Sequence, residues 1–209
     1  MRYENGCPTT VTSVIVSTQH AEGVAFRDIQ SYIREELVPR GLGDWVTFTT
    51  TVMANPSGQF VLGGPAADCS VTGRKIIVDT DGGAVAHGGG AMSGKDPTKV
   101  DRSGSYFCRY VARAVVRAGL ARRAEVTVSY AIGRPEPAHL AVRTFGTGDQ
   151  AGAEEYIRGF DFRPAAIIEL LDLKRPIYSS VTNYGHFGRE GLPWELDPAV
   201  GPGTTERAS

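Results

Sequence analysis

Six glycines fall within thirteen consecutive positions of this sequence: Gly82, Gly83, Gly88, Gly89, Gly90 and Gly94. Helices and strands tolerate that density poorly, because glycine loses more backbone entropy on ordering than any other residue. The whole chain has 26 glycines among 209 residues, well above the usual share of about 7%. The sequence therefore predicts a long loop over residues 81–97 whose backbone takes unusual conformations or approaches a ligand closely.

Charged side chains of both signs surround this loop. Between residues 63 and 102 the five cations are Arg74, Lys75, Lys95, Lys99 and Arg102. The five acids of the same stretch are Asp68, Asp79, Asp81, Asp96 and Asp101. Glycine lets backbone N–H groups approach phosphate oxygens, lysine and arginine supply cations, and aspartates can hold Mg²⁺. The stretch therefore predicts a site for a metal ion together with a phosphorylated ligand.

One familiar phosphate motif fits this loop only in part. Gly89 and the pair Gly94-Lys95 have the spacing of a P-loop, but Asp96 stands where that motif places the Ser or Thr that binds Mg²⁺. The preceding strand is predicted to end near Asp79, too early for the motif, and Pro97 blocks an ordinary helix directly after the loop. The pattern argues against a true P-loop and leaves open a triphosphate bound in another geometry.

Composition and charge exclude several classes of protein. The chain carries 22 Lys+Arg against 23 Asp+Glu, so it lacks the basic excess that nucleic-acid binding requires. No apolar run approaches the roughly 18 residues of a membrane helix, and the N-terminus resembles no export signal. The three cysteines form no Cys-x-x-Cys pair and the four histidines lie in no metal-ligand spacing, which argues against disulfides and a transition-metal site. We expect a cytoplasmic protein that binds neither nucleic acid nor membranes.

Strand and helix patterns alternate in mixed order, which predicts an α+β fold. Strands are expected at residues 11–16, 75–79 and 126–130, with shorter β-type runs at 47–53 and 59–62. Helices are expected from Ile29 until Pro39 and Gly41 end the pattern, from Asp101 to a stop at Gly119, and again from Pro164. The turn Asn5-Gly6 predicts a hairpin whose second arm is at 11–17. Its four-residue first arm favours a chain that begins inside a domain.

The motifs around the glycine loop, taken together, resemble S-adenosylmethionine synthetase, also called methionine adenosyltransferase. The resemblance rests on GRKIIVDT at 73–80, HGGGA at 87–91, SGKDPTKVDRS at 93–103 and SYAIG at 129–133. STQH at 17–20, FGT at 145–147 and YGHFGR at 184–189 extend it over nearly the whole chain. Some positions depart from the family pattern, since Ala67 and Ser70 replace glycines beside Asp68, Asp81 replaces an aromatic residue and Met92 replaces Phe.

The resemblance implies a reaction and its cofactors. In this family the sulfur of L-methionine attacks the 5′ carbon of ATP and displaces tripolyphosphate, which is then hydrolysed to pyrophosphate and phosphate, with Mg²⁺ and K⁺ as cofactors. A leaving group with so many negative charges needs several cations where its charge develops. A thioether nucleophile needs no general base, so the lack of a catalytic histidine is no objection.

The resemblance also assigns roles to individual residues. Arg74, Lys75 and Lys95 are expected to hold the phosphate chain and to be catalytic, and Asp101 is expected to bind Mg²⁺. The expected ATP-binding residues are Gln59, Phe60, Asp68, Arg74, Lys75, Ala91 and Lys95, with Phe60 stacked on adenine and Ala91 beside the nucleotide. The expected methionine-binding residues are Asp68, Lys99 and Ile132.

By the same resemblance the chain covers the C-terminal half of the family's proteins. Residues 1–63 would be the end of the middle domain, 64–195 the C-terminal domain and 196–209 a flexible tail. The expected partners are ATP, L-methionine and either a second copy, as a homodimer or dimer of dimers, or a chain that supplies the N-terminal half. Three hypotheses stay open: an enzyme that needs that half for activity, an inactive ligand-binding or dimerisation module that associates with a full-length synthetase, and an unrelated nucleotide-binding domain.

Overall fold

The computed structural model describes residues 1–182 and 185–196. It has an α+β fold divided into two compact units, Met1–Ser70 and Val71–Ser209; the domain boundary after residue 63 stays a prediction. Tyr184 of the YGHFGR motif and all of the predicted tail except Leu196 lie outside the described residues. Among the residues described, no helix combines the length and the apolar character that crossing a membrane demands.

The first unit begins with a β-hairpin. Strands β1 (Arg2–Glu4) and β2 (Cys7–Thr10) are antiparallel, and the turn between them has Asn5 and Gly6 at φ 51° and 79°. Two successive positive φ values are what a tight hairpin turn requires, so the turn was predicted correctly. Its second arm was not, because β3 (Ser13–Val16) pairs instead with β4 (Thr51–Ala54) in a parallel sheet. The run at 59–62 forms no strand.

One continuous helical segment packs against this parallel sheet. It consists of α1 (Phe26–Tyr32), a π-helical turn (Ile33–Leu37) and α2 (Val38–Leu42). The prediction that Pro39 ends the helix is wrong, because the π turn shifts the hydrogen bonding so that Val38 N donates to Ile33 O. Proline then occupies the first turn of α2, where its missing N–H is tolerated. The core of the unit is Ile29, Ile33, Val38 and Ala54.

The second unit opens with a departure from the sequence prediction. Residues Ile76–Asp79 form a short helix, α3, where a strand was expected at 75–79. Three consecutive β-branched side chains favour a strand, but a strand also needs a hydrogen-bonding partner, and no described strand pairs with this segment. The backbone is satisfied locally instead, since Asp79 N donates to Lys75 O at 2.9 Å.

The central element of the second unit is α4 (Val100–Arg117). Its buried stripe recurs at helical spacing, as the sequence predicted: Tyr106, Phe107, Tyr110, Val111, Ala114 and Val115. Gly119, which has φ 73°, follows the C-terminal end of the helix. Leu120 N donates to Val115 O at 3.3 Å, and Gly119 N donates to Val116 O at 3.1 Å. This pair of bonds is a Schellman motif, in which glycine adopts the left-handed conformation at low steric cost.

Beside α4 lies an antiparallel pair, β5 (Glu125–Tyr130) and β6 (Pro137–Arg143). Two further helices follow, α5 (Gln150–Arg158) and α6 (Pro164–Leu170). The sequence predicted β5 and α6 correctly and missed β6 and α5. Helix α5 begins at Asp149, whose carboxylate accepts a hydrogen bond from Gly152 N at 3.0 Å, the usual role of an N-cap residue.

The core of the second unit reaches the last described residues. Single 3₁₀ turns at Tyr178–Val181 and Pro193–Glu195 pack near α4. Trp194 is fully buried, and its ring stacks on Tyr106 with 3.6 Å between centroids. Glu195 accepts two hydrogen bonds from Arg109, both at 3.0 Å. The chain beyond α6 is therefore fixed to the central helix by both aromatic stacking and a bidentate ion pair.

Candidate functional site

The glycine-rich segment is a loop, as predicted. From Thr80 to Lys99 it contains turns and bends but neither helix nor strand. It returns to the start of α4 at Gly90, where an added Cβ would overlap the carboxylate of Asp101. Only glycine allows the backbone this close to that side chain, so the glycines bring the loop against the first turn of α4.

Two of the predicted site residues meet at this point. Lys95 Nζ lies 2.6 Å from Asp101 Oδ2, a short charge-assisted hydrogen bond. The side chains are 32% and 47% exposed, so the pair is open to a ligand from solvent. The residue assigned to phosphate and the residue assigned to metal therefore form an ion pair with each other, which the sequence did not predict.

The segment that carries Arg74 and Lys75 runs beside the same loop. Gly73 has φ 81°, and a Cβ placed on it would lie 2.9 Å from Ser93 O and 3.2 Å from Ala91 Cβ. This close backbone approach places three predicted phosphate ligands on neighbouring segments. Both Arg74 and Lys75 are exposed, and neither side chain forms a hydrogen bond or an ion pair within the described part of the chain.

A buried polar network supports the loop from beneath. Arg102 Nε donates to Tyr106 Oη at 3.1 Å, and its Nη1 donates to Lys95 O. Tyr106 Oη lies 2.7 Å from His186 Nδ1, and His186 Nε2 lies 2.9 Å from Ser93 Oγ. The guanidinium of Arg102 also lies 4.0 Å from the centroid of the Tyr178 ring. No described carboxylate pairs with Arg102, so its positive charge adds to the potential of the site.

Burial keeps the histidine of this network neutral. Desolvation lowers the pKa of His186 to about 4, with Arg102 and Arg189 acting in the same direction and Asp79 opposing them. Burial likewise raises the pKa of Tyr106 to about 12, so its hydroxyl stays protonated. The sequence analysis assigned neither residue to the site, although His186 lies in the YGHFGR motif at 184–189.

The lowered pKa predicts that the second unit loses stability in mild acid. In the unfolded chain a histidine takes up a proton near pH 6.5, whereas in the folded chain His186 does so near pH 4. Between these values only the unfolded state is protonated, so the free energy of unfolding falls as the pH falls, by about 3 kcal/mol from this group. An NMR titration of the imidazole should show it neutral at pH 5. An ordinary titration near pH 6.5 would contradict the prediction.

A cleft of about 610 Å³ opens between the loop, α4 and β5. Its lining includes His87, Asp101, Ser105 and all of β5, and Asp81 stands at its edge. Desolvation raises the pKa of Asp81, although Arg109 partly offsets this effect. Asp81 is a further candidate binding residue, which the sequence analysis counted among the acids of this stretch but gave no role of its own.

Three predicted ligand-binding residues belong to the first unit. Gln59 and Phe60 are exposed, and Phe60 N donates to His20 Nε2 at 3.1 Å. Asp68 accepts a hydrogen bond from Ser70 N at 2.9 Å, and Ser70 has φ 49°. A left-handed backbone is one that glycine adopts at lower steric cost than serine. The roles of these residues in binding adenosine and methionine stay predictions.

The other two residues assigned to methionine lie in the second unit. Lys99 is exposed and occupies the N-cap position of α4. Ile132 is fully exposed in the turn between β5 and β6, and it does not line the cleft. The structure does not gather these side chains into a pocket within the second unit.

The side chains of the loop suit a metal ion that is bound together with phosphate groups better than one that is held by protein side chains alone. The described residues contain no cluster of three or more His, Cys, Asp or Glu side chains that could hold a metal. Asp101 supplies one exposed carboxylate. Mg²⁺ usually takes one or two carboxylates and completes its shell with waters and substrate phosphates, so Asp101 fits Mg²⁺ bound together with a triphosphate. No described residue set identifies a K⁺ site.

The comparison with known protein families agrees with this geometry. Residues 62–196 match the model of the family described as "S-adenosylmethionine synthetase, C-terminal domain". The match spans the glycine loop, the Lys95–Asp101 pair, α4 and the buried network. The chain therefore belongs to the S-adenosylmethionine synthetase family, of which it carries the C-terminal domain.

Proposed function

We propose that this chain is the C-terminal, triphosphate-binding part of a methionine adenosyltransferase, which forms S-adenosylmethionine from ATP and L-methionine and releases phosphate and pyrophosphate. The single observation that carries the proposal is the exposed Lys95–Asp101 pair, beside the segment that presents Arg74 and Lys75. Three cations on adjoining loop segments and one carboxylate in the first turn of α4 match the needs of a magnesium triphosphate.

The chemistry proposed for these residues is electrostatic. When the sulfur of methionine attacks the 5′ carbon, the carbon–oxygen bond to the triphosphate breaks and negative charge grows on the leaving oxygen. Arg74, Lys75 and Lys95 stabilise that charge, and preorganised charges of this kind are usually the largest contribution to catalysis. Mg²⁺, held by Asp101 when bound, would neutralise further phosphate charge. No side chain has to remove a proton, because the sulfonium product forms directly.

The remaining assignments extend the proposal to the other parts of the substrates. Gln59, Phe60 and Ala91 would contact the nucleotide, with the ring of Phe60 stacked on adenine. Asp68, Lys99 and Ile132 would contact methionine, and Asp68 would also face adenosine. We propose Mg²⁺ and K⁺ as cofactors, with K⁺ resting on the family resemblance alone. The same resemblance supports a cytoplasmic enzyme that works as a homodimer or dimer of dimers, or with a separate N-terminal chain.

The alternative function is an inactive module that binds ligand or associates with a full-length synthetase. One observation favours it, namely the outer face of the β3–β4 sheet. Ile15 and Met53 are paired across the two strands on this face and are 61% and 37% exposed. Exposed apolar side chains grouped on one sheet face are typical of interaction surfaces.

The test is S-adenosylmethionine formation from ATP and methionine, with Mg²⁺ and K⁺ present. It is run with the purified 209-residue chain alone and with an added N-terminal half of a synthetase from the same family. We expect product only with the added half, because the resemblance places other phosphate and metal ligands there. Product from the chain alone would refute the need for that half. A folded chain that gives no product in either arm, but co-purifies with a full-length synthetase, would support the alternative.

A further inference from the structure

The buried network beneath the glycine loop forms a continuous path from one end of a short turn to the other. It runs from the hydroxyl of Ser93 through His186, Tyr106 and Arg102 to the carbonyl of Lys95. Ser93 and Lys95 flank Gly94, which has φ 83°. Both ends of a three-residue turn are therefore tied to the same buried cluster, and the cluster lies on α4.

The hydrogen-bond partners fix where the protons of this network lie. Arg102 can only donate, so Tyr106 Oη accepts from it. The hydroxyl proton of Tyr106 then goes to the other neighbour, His186 Nδ1, at 2.7 Å. A neutral imidazole with an accepting Nδ1 carries its proton on Nε2, which donates to Ser93 Oγ at 2.9 Å. Arg102 thus donates toward both ends of the path, to Tyr106 and to the carbonyl of Lys95. Each of the four hydrogen bonds then has one donor and one acceptor, which makes the cluster rigid.

His186 is itself held at several points. Its backbone N donates to Asp79 O at 2.8 Å, and its carbonyl accepts from Trp194 Nε1 at 2.8 Å. The side chain is completely buried, with the Tyr106 ring 5.9 Å away between centroids. The histidine therefore has a fixed position from which to hold Ser93.

We propose that His186 and Ser93 are positioning residues, which set the backbone of Lys95 so that its ammonium group faces Asp101 and the triphosphate. This inference rests on the proposed function. A lysine side chain has four rotatable bonds and high conformational freedom. Holding the turn at Ser93 and at the carbonyl of Lys95 itself limits where the charge can go. Removing the hydrogen-bond partners that orient metal ligands costs about 10-fold to 100-fold in affinity or activity, and we expect an effect of that order here.

The test uses the full chain and inorganic tripolyphosphate as the probe. Ser93→Ala removes only the outer end of the path, so that the Nε2–H of His186 loses one acceptor. His186→Ala, by contrast, would leave a cavity and several unpaired groups in the core. We expect Ser93→Ala to weaken tripolyphosphate binding, measured by calorimetry, about tenfold. Its melting temperature should stay within a few degrees of the original protein. Ser93→Thr keeps the hydroxyl and should restore the affinity.

Two NMR signals report on positioning without any ligand. The ammonium signal of Lys95, assigned by its loss in Lys95→Met, should broaden or vanish in Ser93→Ala and persist in Ser93→Thr. The nitrogen shifts of His186 should show the Nε2–H form at neutral pH. An unchanged Lys95 signal and affinity in Ser93→Ala, or the Nδ1–H form of His186, would overturn the positioning proposal. If the original chain binds no tripolyphosphate, the proposed function fails, and the Lys95 signal in Ser93→Ala alone decides the positioning role.

Discussion

Replacing Lys95 with methionine is expected to lower S-adenosylmethionine formation about 100-fold to 1,000-fold in the complemented enzyme, the usual cost of removing one preorganised transition-state donor. Methionine keeps the length and apolar stem of lysine and removes only the charge. The charge of Lys95 is aimed by its contact with Asp101 at 2.6 Å and by the hydrogen bond from Arg102 to its carbonyl. No neighbouring flexible cation can take over that position without the same support.

The matched control for this variant is Lys174→Met. Lys174 is exposed, follows α6 and is not among the residues assigned to ligands. Lys174→Met therefore changes the net charge by the same amount as Lys95→Met but leaves the site intact. We expect its activity and its tripolyphosphate affinity to match those of the original chain. Steady-state rates at saturating ATP separate loss of catalysis from loss of binding. Equal effects of the two substitutions would show that only overall charge matters and would refute a specific role for Lys95.

The second large effect is expected from Trp194→Ala, which should destabilise the second unit by about 3–5 kcal/mol. Trp194 is fully buried, stacks on Tyr106 at 3.6 Å and donates to the carbonyl of His186. The substitution leaves a large cavity and an unpaired carbonyl. It also loosens the residue that holds the site network, so tripolyphosphate binding should fall wherever the variant remains folded.

Trp45→Ala is the control for the tryptophan variant. Trp45 is in the first unit and is 43% exposed, so the same truncation should cost about 1 kcal/mol or less. Urea unfolding followed by circular dichroism measures both variants. A loss of less than about 1 kcal/mol for Trp194→Ala would show that the segment after α6 does not contribute to the core.

The sequence was sufficient to predict those features that depend on interactions between residues close together in the chain. The glycine density between residues 82 and 94 predicted a loop, and the apolar spacing before Gly119 predicted α4 and its end. Residue type and motif predicted Lys95 and Asp101 as site residues one by one. Their contact with each other depends on how the loop folds back at Gly90, and one sequence does not specify that path.

The buried network beneath the loop could not be predicted from the sequence, for a related reason. His186 is 80 residues from Tyr106 and 93 residues from Ser93 along the chain, so no short-range pattern connects them. An isolated histidine in a sequence is also more often a structural residue than a functional one, so it gives no reason to assign a role. Its relevance becomes visible once the partners at both ring nitrogens are identified.

The error at residues 75–79 has a different cause. Ile76, Ile77 and Val78 have strong strand propensity, but propensity is a weak guide where tertiary pairing decides. The segment forms the short helix α3, and β5 pairs only with β6 among the described strands. Ile77 and Val78 stay 44% and 60% exposed as a result.

The most direct measurement of the central claim is tripolyphosphate binding by the original chain and by Asp101→Asn, with and without Mg²⁺. In the free protein Asp101 neutralises Lys95, so removing its charge should strengthen binding several-fold when Mg²⁺ is absent. When Mg²⁺ is present, the same variant should bind more weakly than the original chain, because the carboxylate offered to the metal is gone. Such a change of sign is the result predicted for a shared phosphate and metal site. An effect of the same direction in both conditions, or no effect, would contradict it.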